Sequence, residues 1–456
     1  MLPANIRSEF AAILAADRFY TDPVDCYTYS YDNTRKIFPP DAVAFPLDSE
    51  EVQRLLALCN KHNIAVTARG RGTGTAGGSL SEQGGLVLSL ERMRKIVAID
   101  AANRVIVAQP GVLNEEVQRA ARPYGLFWPP DPSSAAYSSI GGNLATSAGG
   151  PHAIKYGTTR DNVLGLKAVT ADGALLEAGC YTTKGVVGYD LTRLLIGSEG
   201  TLAVIVEATL KLIPLPAAIG GVTAFYRDVA SCAKAVSAIM AQPLTPSALE
   251  FLDTGALALI RGRYPDMLPS DARALLMIEV DGSTQSIGDD IAAMIAACRN
   301  SGLLRAEAVA DAAALWAARK ALSPLLRDIA PKKINEDIVV PVSRLAELME
   351  GLAALSGRHG IANVNFGHAG NGNIHVNLLV DSRNVEQMRR AEVCLDQVFD
   401  LVLALNGTLS GEHGVGSEKR AFITKEINPA TLSLMKAIKR SFDPNNILNP
   451  GKLFPV

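Results

Sequence analysis

The sequence predicts an α+β protein built from two domains. With 456 residues the chain is longer than a single domain usually is. Its character also changes at Pro216: Gly-rich loops between short β-prone segments precede this residue, and alternating strand-like and helical segments follow it. The strand–helix–strand order after Pro216 is typical of a ferredoxin-like α+β domain. We therefore expect one domain over residues 1–216 and a second over residues 217–414.

Local signals predict the elements of both domains. Asp48 and Glu51 fit the N-cap and N3 positions of a helix, and Ala171-Asp172-Gly173 predicts the turn of a hairpin at 166–176. The other elements expected in the first domain are strands at 64–68, 86–90, 104–109 and 201–213 and a helix at 113–124. In the second domain we expect strands at 221–226, 248–252 and 275–281 and helices at 228–241, 286–300, 343–355 and 384–405.

Composition narrows the class of protein. The 44 Lys and Arg nearly balance the 46 Asp and Glu, and the net charge of −2 argues against a nucleic-acid surface. No run of about 18 apolar residues predicts a membrane span, and the start lacks the layout of a signal segment. The six isolated Cys contain no Cys-x-x-Cys pair, which disfavours a zinc knuckle or a four-cysteine iron–sulfur site. Scattered Cys are typical of a reducing compartment, so we expect a cytoplasmic protein, with peripheral contact to the inner membrane left open.

A glycine-rich segment at 69–78 predicts a phosphate-binding loop. Gly72, Gly74 and Gly77 match the G-x-G-x-x-G pattern, but no helical segment follows, so a Rossmann site for NAD is disfavoured. Successive glycines let backbone N–H groups converge on an anion without a helix. The alternative is a flexible surface loop. Two more segments poor in bulky side chains, at 138–150 and 196–201, favour a large cofactor lying along the backbone.

At these loops the chain resembles the FAD-binding domain of the vanillyl-alcohol-oxidase/cresol-methylhydroxylase (PCMH-type) flavoproteins. The motifs that carry the resemblance are 69–78, Pro110-Gly111, 129–132, 138–142, Tyr156-Gly157, 161–163 and 197–202. The resemblance implies FAD, and we expect it to be non-covalent because the glycine loop contains no His. It implies these FAD-binding residues: Arg69, Gly70, Arg71, Gly72, Thr73, Gly74, Thr75, Gly77, Gly78, Pro110, Gly111, Pro132, Ser138, Gly141, Gly142, Asn143, Ala148, Gly149, Tyr156, Gly157, Glu199, Gly200, Ile205 and Asn449.

Two histidines near a turn predict a metal site in the second domain. Asn371-Gly372 is a strong hairpin signal, and placing this pair at the centre of the turn sets His368 directly opposite His375. Their Cβ atoms would then lie about 4.5–5.5 Å apart on one face. Glu412 and His413, between glycines, offer a further carboxylate and imidazole. Two His and one carboxylate suit a divalent cation, although spacing alone leaves zinc, manganese, iron and cobalt open. A stacked or surface pair of His is the alternative.

This half resembles the substrate domain of the FAD-linked D-2-hydroxyacid dehydrogenases, a group that includes D-lactate, D-2-hydroxyglutarate and glycolate-oxidising enzymes. Asn371 stands where that pattern usually has Asp, which keeps the turn and removes a charge. The resemblance implies that His368, His375 and Glu412 bind metal and that residues 415–456 complete the FAD-binding domain. It further implies these roles: His413 as the base near flavin N5, Asn377 as a substrate or supporting contact, Arg319 as the carboxylate-binding cation and Lys333 as a second cation.

These features together predict FAD-dependent, metal-assisted oxidation of a D-2-hydroxy acid to the 2-oxo acid by hydride transfer to flavin N5. A non-catalytic flavin subunit of a larger dehydrogenase is one alternative. A sugar, aldonolactone or phenol oxidase of the same fold is another. The chain would pass electrons to a quinone, an electron-transfer flavoprotein, a cytochrome, oxygen or a partner iron–sulfur subunit, and a homodimer is left open.

Overall fold

The computed structural model describes residues 2–263, 268–309 and 313–455. Its strands are β1 (Phe19–Tyr20), β2 (Ala42–Ala44), β3 (Val66–Arg69), β4 (Leu86–Ser89), β5 (Ile96–Asp100), β6 (Val105–Ala108), β7 (Leu126–Phe127), β8 (Val163–Val169), β9 (Leu175–Gly179), β10 (Val204–Lys211), β11 (Ile213–Pro214), β12 (Ala218–Tyr226), β13 (Ala248–Leu252), β14 (Ala274–Gly282), β15 (Leu303–Val309), β16 (Lys332–Val339), β17 (Ala362–His368) and β18 (Asn373–Val380).

The helices follow in the same chain order. They are α1 (Ala4–Ala11), α2 (Pro23–Tyr27), α3 (Ser49–Lys61), α4 (Asn114–Ala121), α5 (Ile140–Thr146), α6 (Ala153–Tyr156), α7 (Leu191–Leu195), α8 (Val229–Met240), α9 (Thr254–Arg263), α10 (Ile287–Ala297), α11 (Ala313–Ile329), α12 (Leu345–His359), α13 (Val385–Ala404), α14 (Ile423–Glu426) and α15 (Pro429–Phe442). None of them, over the described ranges, is long and apolar enough to span a bilayer.

The chain divides into two compact units. The first contains residues 1–149, 157–215 and 412–456, and the second contains 150–156 and 216–411. The change of unit after residue 215 falls beside the expected boundary at 216. Two details differ from the expected division: the short stretch 150–156 groups with the second unit, and the returning segment begins at 412 rather than 415.

The first unit contains two main sheets. A four-stranded sheet has the order β1-β2-β4-β3, in which β2, β4 and β3 run parallel, and a five-stranded antiparallel sheet has the order β5-β6-β10-β8-β9. The predicted hairpin is β8–β9, and the predicted helix is α3. The side chain of Asp48 caps this helix by accepting a hydrogen bond from the N–H of Glu51. No helix lies between β3 and β4, as expected for the glycine loop.

The segment after residue 412 packs into the first unit. Its end adds a short parallel bridge to β3, in which the N–H of Val66 donates to Ile447 and the N–H of Asn449 donates to Val66. Ile447 and Leu448 lie in the same apolar core as β3 and α3. This unit therefore depends on residues from both ends of the chain.

The second unit is one seven-stranded antiparallel sheet with helices, in the order β15-β12-β14-β13-β17-β18-β16. The α+β class is confirmed. The sheet has seven strands, more than the three that the segments 221–226, 248–252 and 275–281 predicted. Helices α9 and α11 share an apolar core with one face of β13, β14 and β17. Because directly paired residues lie on one face of a sheet, Glu250, His368, Phe366 and His375 all lie on this face.

The predicted register of the histidine hairpin is wrong by two residues. His375 pairs with Phe366, and His368 pairs instead with Glu250 on β13. Residues 369–371 form a turn of 3₁₀ helix and Gly372 has a φ of +73°, so the connection is longer than the expected two-residue turn. Since the side-chain period of a strand is two, this shift keeps both imidazoles on one face.

Candidate active site

The glycine loop forms a cradle with room for a phosphate-bearing group. A Cβ atom on Gly70 would overlap the hydroxyl of Ser139, whereas a Cβ on Gly74 would meet nothing within 4 Å. The Ser139 hydroxyl is buried and has no hydrogen-bond partner among the described residues. An unpaired buried hydroxyl is costly, so this atom fits a donor or acceptor for a bound group. The loop therefore fits the predicted cofactor.

Residues next to the cradle hold it in shape. The buried Arg69 donates from Nη2 to the carbonyl oxygen of Tyr31 at 2.7 Å and from Nη1 to Ser79 at 3.3 Å. The amide group of Asn449 donates to the carbonyl oxygen of Gly78 at 2.8 Å. These two predicted FAD-binding residues contact the loop itself through their side chains, which makes it rigid.

Glu199 links the first unit's loops to the segment that carries His413. Its fully buried carboxylate accepts hydrogen bonds from the backbone N–H groups of Val415 and Gly416, both at 2.7 Å. Burial raises the pKa of Glu199, while the two amide donors act in the opposite direction. The side chain of this predicted FAD-binding residue is thus committed to backbone two and three residues beyond His413.

The other predicted FAD-binding residues have varied environments. In the small-residue segment, the Asn143 amide donates to the Ser138 hydroxyl at 3.2 Å, and the N–H of Gly141 donates to Pro110 at 2.8 Å. Elsewhere, Arg71 forms an ion pair with Glu91, and Ile205 lies in the apolar core of the first unit.

Two acidic residues of β14 hold the 150–156 stretch within the second unit. Asp281 accepts from the Tyr156 hydroxyl and also pairs with Lys155. Glu279 pairs with His152 at 2.8 Å.

The two hairpin histidines and Glu412 come together. The ring centroids of His368 and His375 lie 5.3 Å apart with an interplanar angle of 87°. Glu412 is one peptide bond beyond Gly411, the last residue of the second unit, and one ligand atom from each of the three residues lies within 4.8 Å of the others. Both histidines are buried, and Glu412 is half-buried. Two imidazoles and a carboxylate are a donor set for zinc or a similar divalent cation.

Asp337 on β16 positions the segment that leads to Glu412. Its fully buried carboxylate accepts from the Asn373 amide at 2.6 Å, from the N–H of Gly411 at 2.9 Å and from the Ser410 hydroxyl at 3.1 Å. One side chain therefore ties the first residue of β18 to the residues directly before Glu412. This bridge explains how sequence-distant residues converge.

Glu250 on β13 contacts two predicted site residues at once. One of its carboxylate oxygens accepts from Nδ1 of His368, and the other accepts from Nε of Arg319 at 2.6 Å. Its side chain is fully buried. Burial alone would raise the pKa of Glu250, but its interactions with His368 and Arg319 outweigh burial and hold the pKa well below its ordinary value.

Arg319 is fixed along one edge and on one face. Nε is bound by Glu250, and the guanidinium carbon lies 4.6 Å from the centroid of the Phe366 ring. Within the part of the chain that the structure describes, the observed hydrogen bond of Arg319 is made by Nε. The two Nη nitrogens are therefore the donors that could bind a ligand. A guanidinium in this state presents a fork suited to a carboxylate.

The remaining predicted residues have different surroundings. Asn377 is fully buried: its amide donates to the carbonyl oxygens of Val364 and His375, and its own oxygen accepts from Asn335 at 2.7 Å. Lys333 is half-buried and donates to the Ser323 hydroxyl on α11 at 2.6 Å. His413 is half-buried within the first unit. Asn377 therefore braces the hairpin with its side chain.

Sequence reasoning missed Glu250, Asp337 and Ser139. Glu250 did have a signal, because it is the single charged residue in the apolar run Ala248–Leu252 and a lone charge in a buried strand needs a partner. Asp337 lacks a comparable signal, since polar residues are common in its segment. Ser139 lies inside the 138–142 motif, but nothing in the motif distinguishes it from Ser138.

The comparisons with known proteins agree with this architecture. Residues 215–453 match the family described as FAD linked oxidases, C-terminal domain, and residues 40–179 match the FAD binding domain family. The first match spans more than half of the chain. The chain belongs to the FAD linked oxidases and is an FAD-linked oxidoreductase.

Two relatives and one solved structure are similar to the chain over nearly its whole length. The chain is 38% identical to the glycolate oxidase subunit GlcD of Bacillus subtilis (strain 168), over 100% of this chain and 97% of that protein. It is 34% identical to the D-2-hydroxyglutarate dehydrogenase of Stutzerimonas stutzeri (strain A1501), over 99% of each. The structure of p-cresol methylhydroxylase with substrate bound superposes with a TM-score of 0.80 at 17% identity, over 98% of this chain and 96% of that one, which confirms the PCMH-type fold.

Proposed function

We propose that this chain oxidises a D-2-hydroxy acid to the 2-oxo acid, with FAD as the electron acceptor and a divalent cation, zinc in the first instance, at His368, His375 and Glu412. The observation that carries the proposal is the convergence of these three donor groups within 4.8 Å. The names of the two relatives, a glycolate oxidase subunit and a D-2-hydroxyglutarate dehydrogenase, support the substrate class. A divalent cation held by these three groups would lower the pKa of the substrate hydroxyl.

Each protein residue has a definite role in this proposal. The Nη nitrogens of Arg319 bind the substrate carboxylate, and Phe366 keeps the guanidinium plane in place. His413 accepts the hydroxyl proton as a general base, a role that imidazoles fill more often than other side chains. FAD supplies the two-electron acceptor. Lys333 is the candidate for a second carboxylate, which would select a dicarboxylate substrate over lactate or glycolate.

The flavin is proposed to bind without a covalent bond. The glycine loop contains neither His nor Cys, and the buried Ser139 hydroxyl offers a hydrogen bond to the bound cofactor. Acid or heat denaturation followed by filtration should therefore release a yellow flavin from the protein.

One experiment tests the proposed activity. The purified protein is mixed under anaerobic conditions with D-lactate, L-lactate, glycolate or D-2-hydroxyglutarate, and bleaching of the visible flavin absorption is recorded. We expect at least one D-2-hydroxy acid, or glycolate, to bleach the flavin, and we expect a chelator to abolish the bleaching until metal is restored. Failure of all of them to bleach the flavin, with Zn²⁺, Mn²⁺, Fe²⁺ or Co²⁺ added, would refute the proposal.

A second arrangement concerns electron transfer rather than substrate. The B. subtilis relative is named as a subunit, so this chain could pass its electrons to a partner protein that carries a further redox centre. All six Cys of the chain are free thiols in the structure, and none lies in a Cys-x-x-Cys pair. Co-purification of the chain with a protein that accepts electrons from its reduced flavin would support this arrangement.

A further inference from the structure

We infer that Glu250 is a positioning residue that sets which nitrogen of His368 faces the cation and at the same time holds the substrate-binding Arg319. The inference rests on the proposed function, because it concerns the proposed metal site. It follows from three observations within the second unit: the strand register, the burial of Glu250 and the two hydrogen bonds that its carboxylate accepts.

The register places Glu250 next to His368 without help from any loop. The two residues are direct partners in the β13–β17 ladder, so their side chains leave the sheet on the same face. Leu249 and Phe251, the residues directly before and after Glu250 in β13, are buried and apolar. The position of this carboxylate is therefore as rigid as the sheet itself.

The hydrogen bond to Nδ1 determines the form of the imidazole. A carboxylate can only accept, so Nδ1 of His368 must carry a proton. In a neutral imidazole the other nitrogen, Nε2, is then unprotonated and carries the lone pair that a metal ligand needs. Carboxylates that fix metal-binding histidines in this way typically strengthen metal binding by 10- to 100-fold.

The second oxygen of Glu250 is equally committed. It accepts from Nε of Arg319, and Arg319 can only donate. One carboxylate thus accepts from a proposed metal ligand and from the proposed substrate-binding residue. A single buried side chain therefore supports both the proposed metal site, through His368, and the guanidinium of Arg319.

Glu250→Gln separates this role from simple packing. Gln has nearly the same shape but offers one acceptor and one donor. Its oxygen must face Arg319, which has no acceptor, so its NH₂ group must face Nδ1 of His368. Nδ1 then has to accept, and the imidazole proton moves to Nε2, the nitrogen that a cation needs. The substitution keeps the volume and reverses the imidazole.

The matched control is Glu279→Gln on the adjacent strand β14. Glu279 also pairs with a histidine, His152, at 2.8 Å, and accepts from the Ser247 hydroxyl at 2.9 Å, but it contacts neither hairpin histidine. The same chemical change is therefore made in the same sheet, away from the proposed metal site.

The experiment measures metal affinity on the full FAD-containing protein. Chelator-treated wild type, Glu250→Gln and Glu279→Gln are titrated with Zn²⁺ and with Mn²⁺ by calorimetry. We expect Glu250→Gln to bind metal 10- to 100-fold more weakly and Glu279→Gln to stay within threefold of wild type. We also expect excess metal to restore most of the activity of Glu250→Gln, which would not happen after general damage to the fold.

The outcomes are distinguishable. Equal affinity of wild type and Glu250→Gln overturns the inference and leaves the proposed function standing. If wild type binds neither metal, the metal part of the proposed function fails, and the inference fails with it. If Glu250→Gln does not fold, Glu250→Asp replaces it: the shortened carboxylate cannot reach both partners, and unchanged metal affinity in that variant also overturns the inference.

Discussion

Replacing Arg319 by Lys should weaken substrate binding while leaving the fold intact. Arg319 has two tasks: Nε satisfies the fully buried Glu250, and the Nη pair is proposed to bind the substrate carboxylate. Lys carries one compact charge and cannot perform both tasks. Breaking a buried ion pair by removing one partner costs about 3–5 kcal/mol, so the new ammonium should stay with Glu250.

The loss at the substrate follows from this competition. One hydrogen bond between charged groups contributes about 1.5–3 kcal/mol, and each 1.4 kcal/mol corresponds to about a factor of ten. We therefore expect the KM for the 2-hydroxy acid to rise roughly 10- to 150-fold. The thermal unfolding midpoint should stay close to that of wild type.

Steady-state kinetics with an artificial electron acceptor, together with thermal unfolding of the FAD-containing protein, measure both quantities. Arg319→Met is the matched variant: it removes one of the two donors to Glu250, so it should lower the unfolding midpoint as well as weaken substrate binding. A folded Arg319→Lys variant whose KM stays within threefold of wild type would show that Arg319 does not bind the carboxylate.

Three further predictions concern other parts of the chain. His413→Ala should stop substrate-driven bleaching and retain FAD, as judged from the visible spectrum; normal bleaching would rule out His413 as the base. Ser139→Ala should weaken FAD binding by up to about tenfold, because one hydrogen bond contributes roughly 0.5–1.5 kcal/mol; an unchanged affinity in a fluorescence titration would show that this hydroxyl does not contact FAD. Burial raises the pKa of Asp253 to about 6, so its contribution to stability is full below pH 4 and is lost as the pH rises through 6. The free energy of unfolding of Asp253→Asn relative to wild type should therefore rise by up to about 3 kcal/mol as the pH increases from 4 to 7. A difference in unfolding midpoint between the two proteins that does not change with pH would contradict this.

The hairpin shows how far sequence reasoning reaches. The turn signal, the strand identity of both arms and the shared face of His368 and His375 could all be read locally, because they depend on short-range backbone preferences and on the two-residue period of a strand. The register could not be read locally, because the connection contains a 3₁₀ turn followed by Gly372 in the left-handed conformation. A Cβ atom at Gly372 would overlap the carbonyl oxygen of Val340. The partner strand β13 is more than a hundred residues away in the chain, and no local pattern indicates which strand will lie beside β17.

For the cofactor loops, too, local sequence predicted some features and the tertiary packing others. The absence of a helix after Gly77 could be predicted, because helix-hostile residues act locally. The use of Glu199 could not: its carboxylate binds backbone more than two hundred residues further along, and only the folded first unit brings Val415 and Gly416 to it.

Local sequence patterns were enough to predict the α+β class, the flavin-type loops and the chemical nature of the candidate ligands. Composition, periodicity and turn residues act over a few positions and need no knowledge of the rest of the chain. How these groups are held depends on the packing of distant segments. Glu250 lies between His368 and Arg319, and Asp337 joins β18 to Gly411. Glu199 accepts from the N–H of Val415, two residues after His413. A buried carboxylate must find donors, and which donors it meets depends on how distant strands and loops pack together.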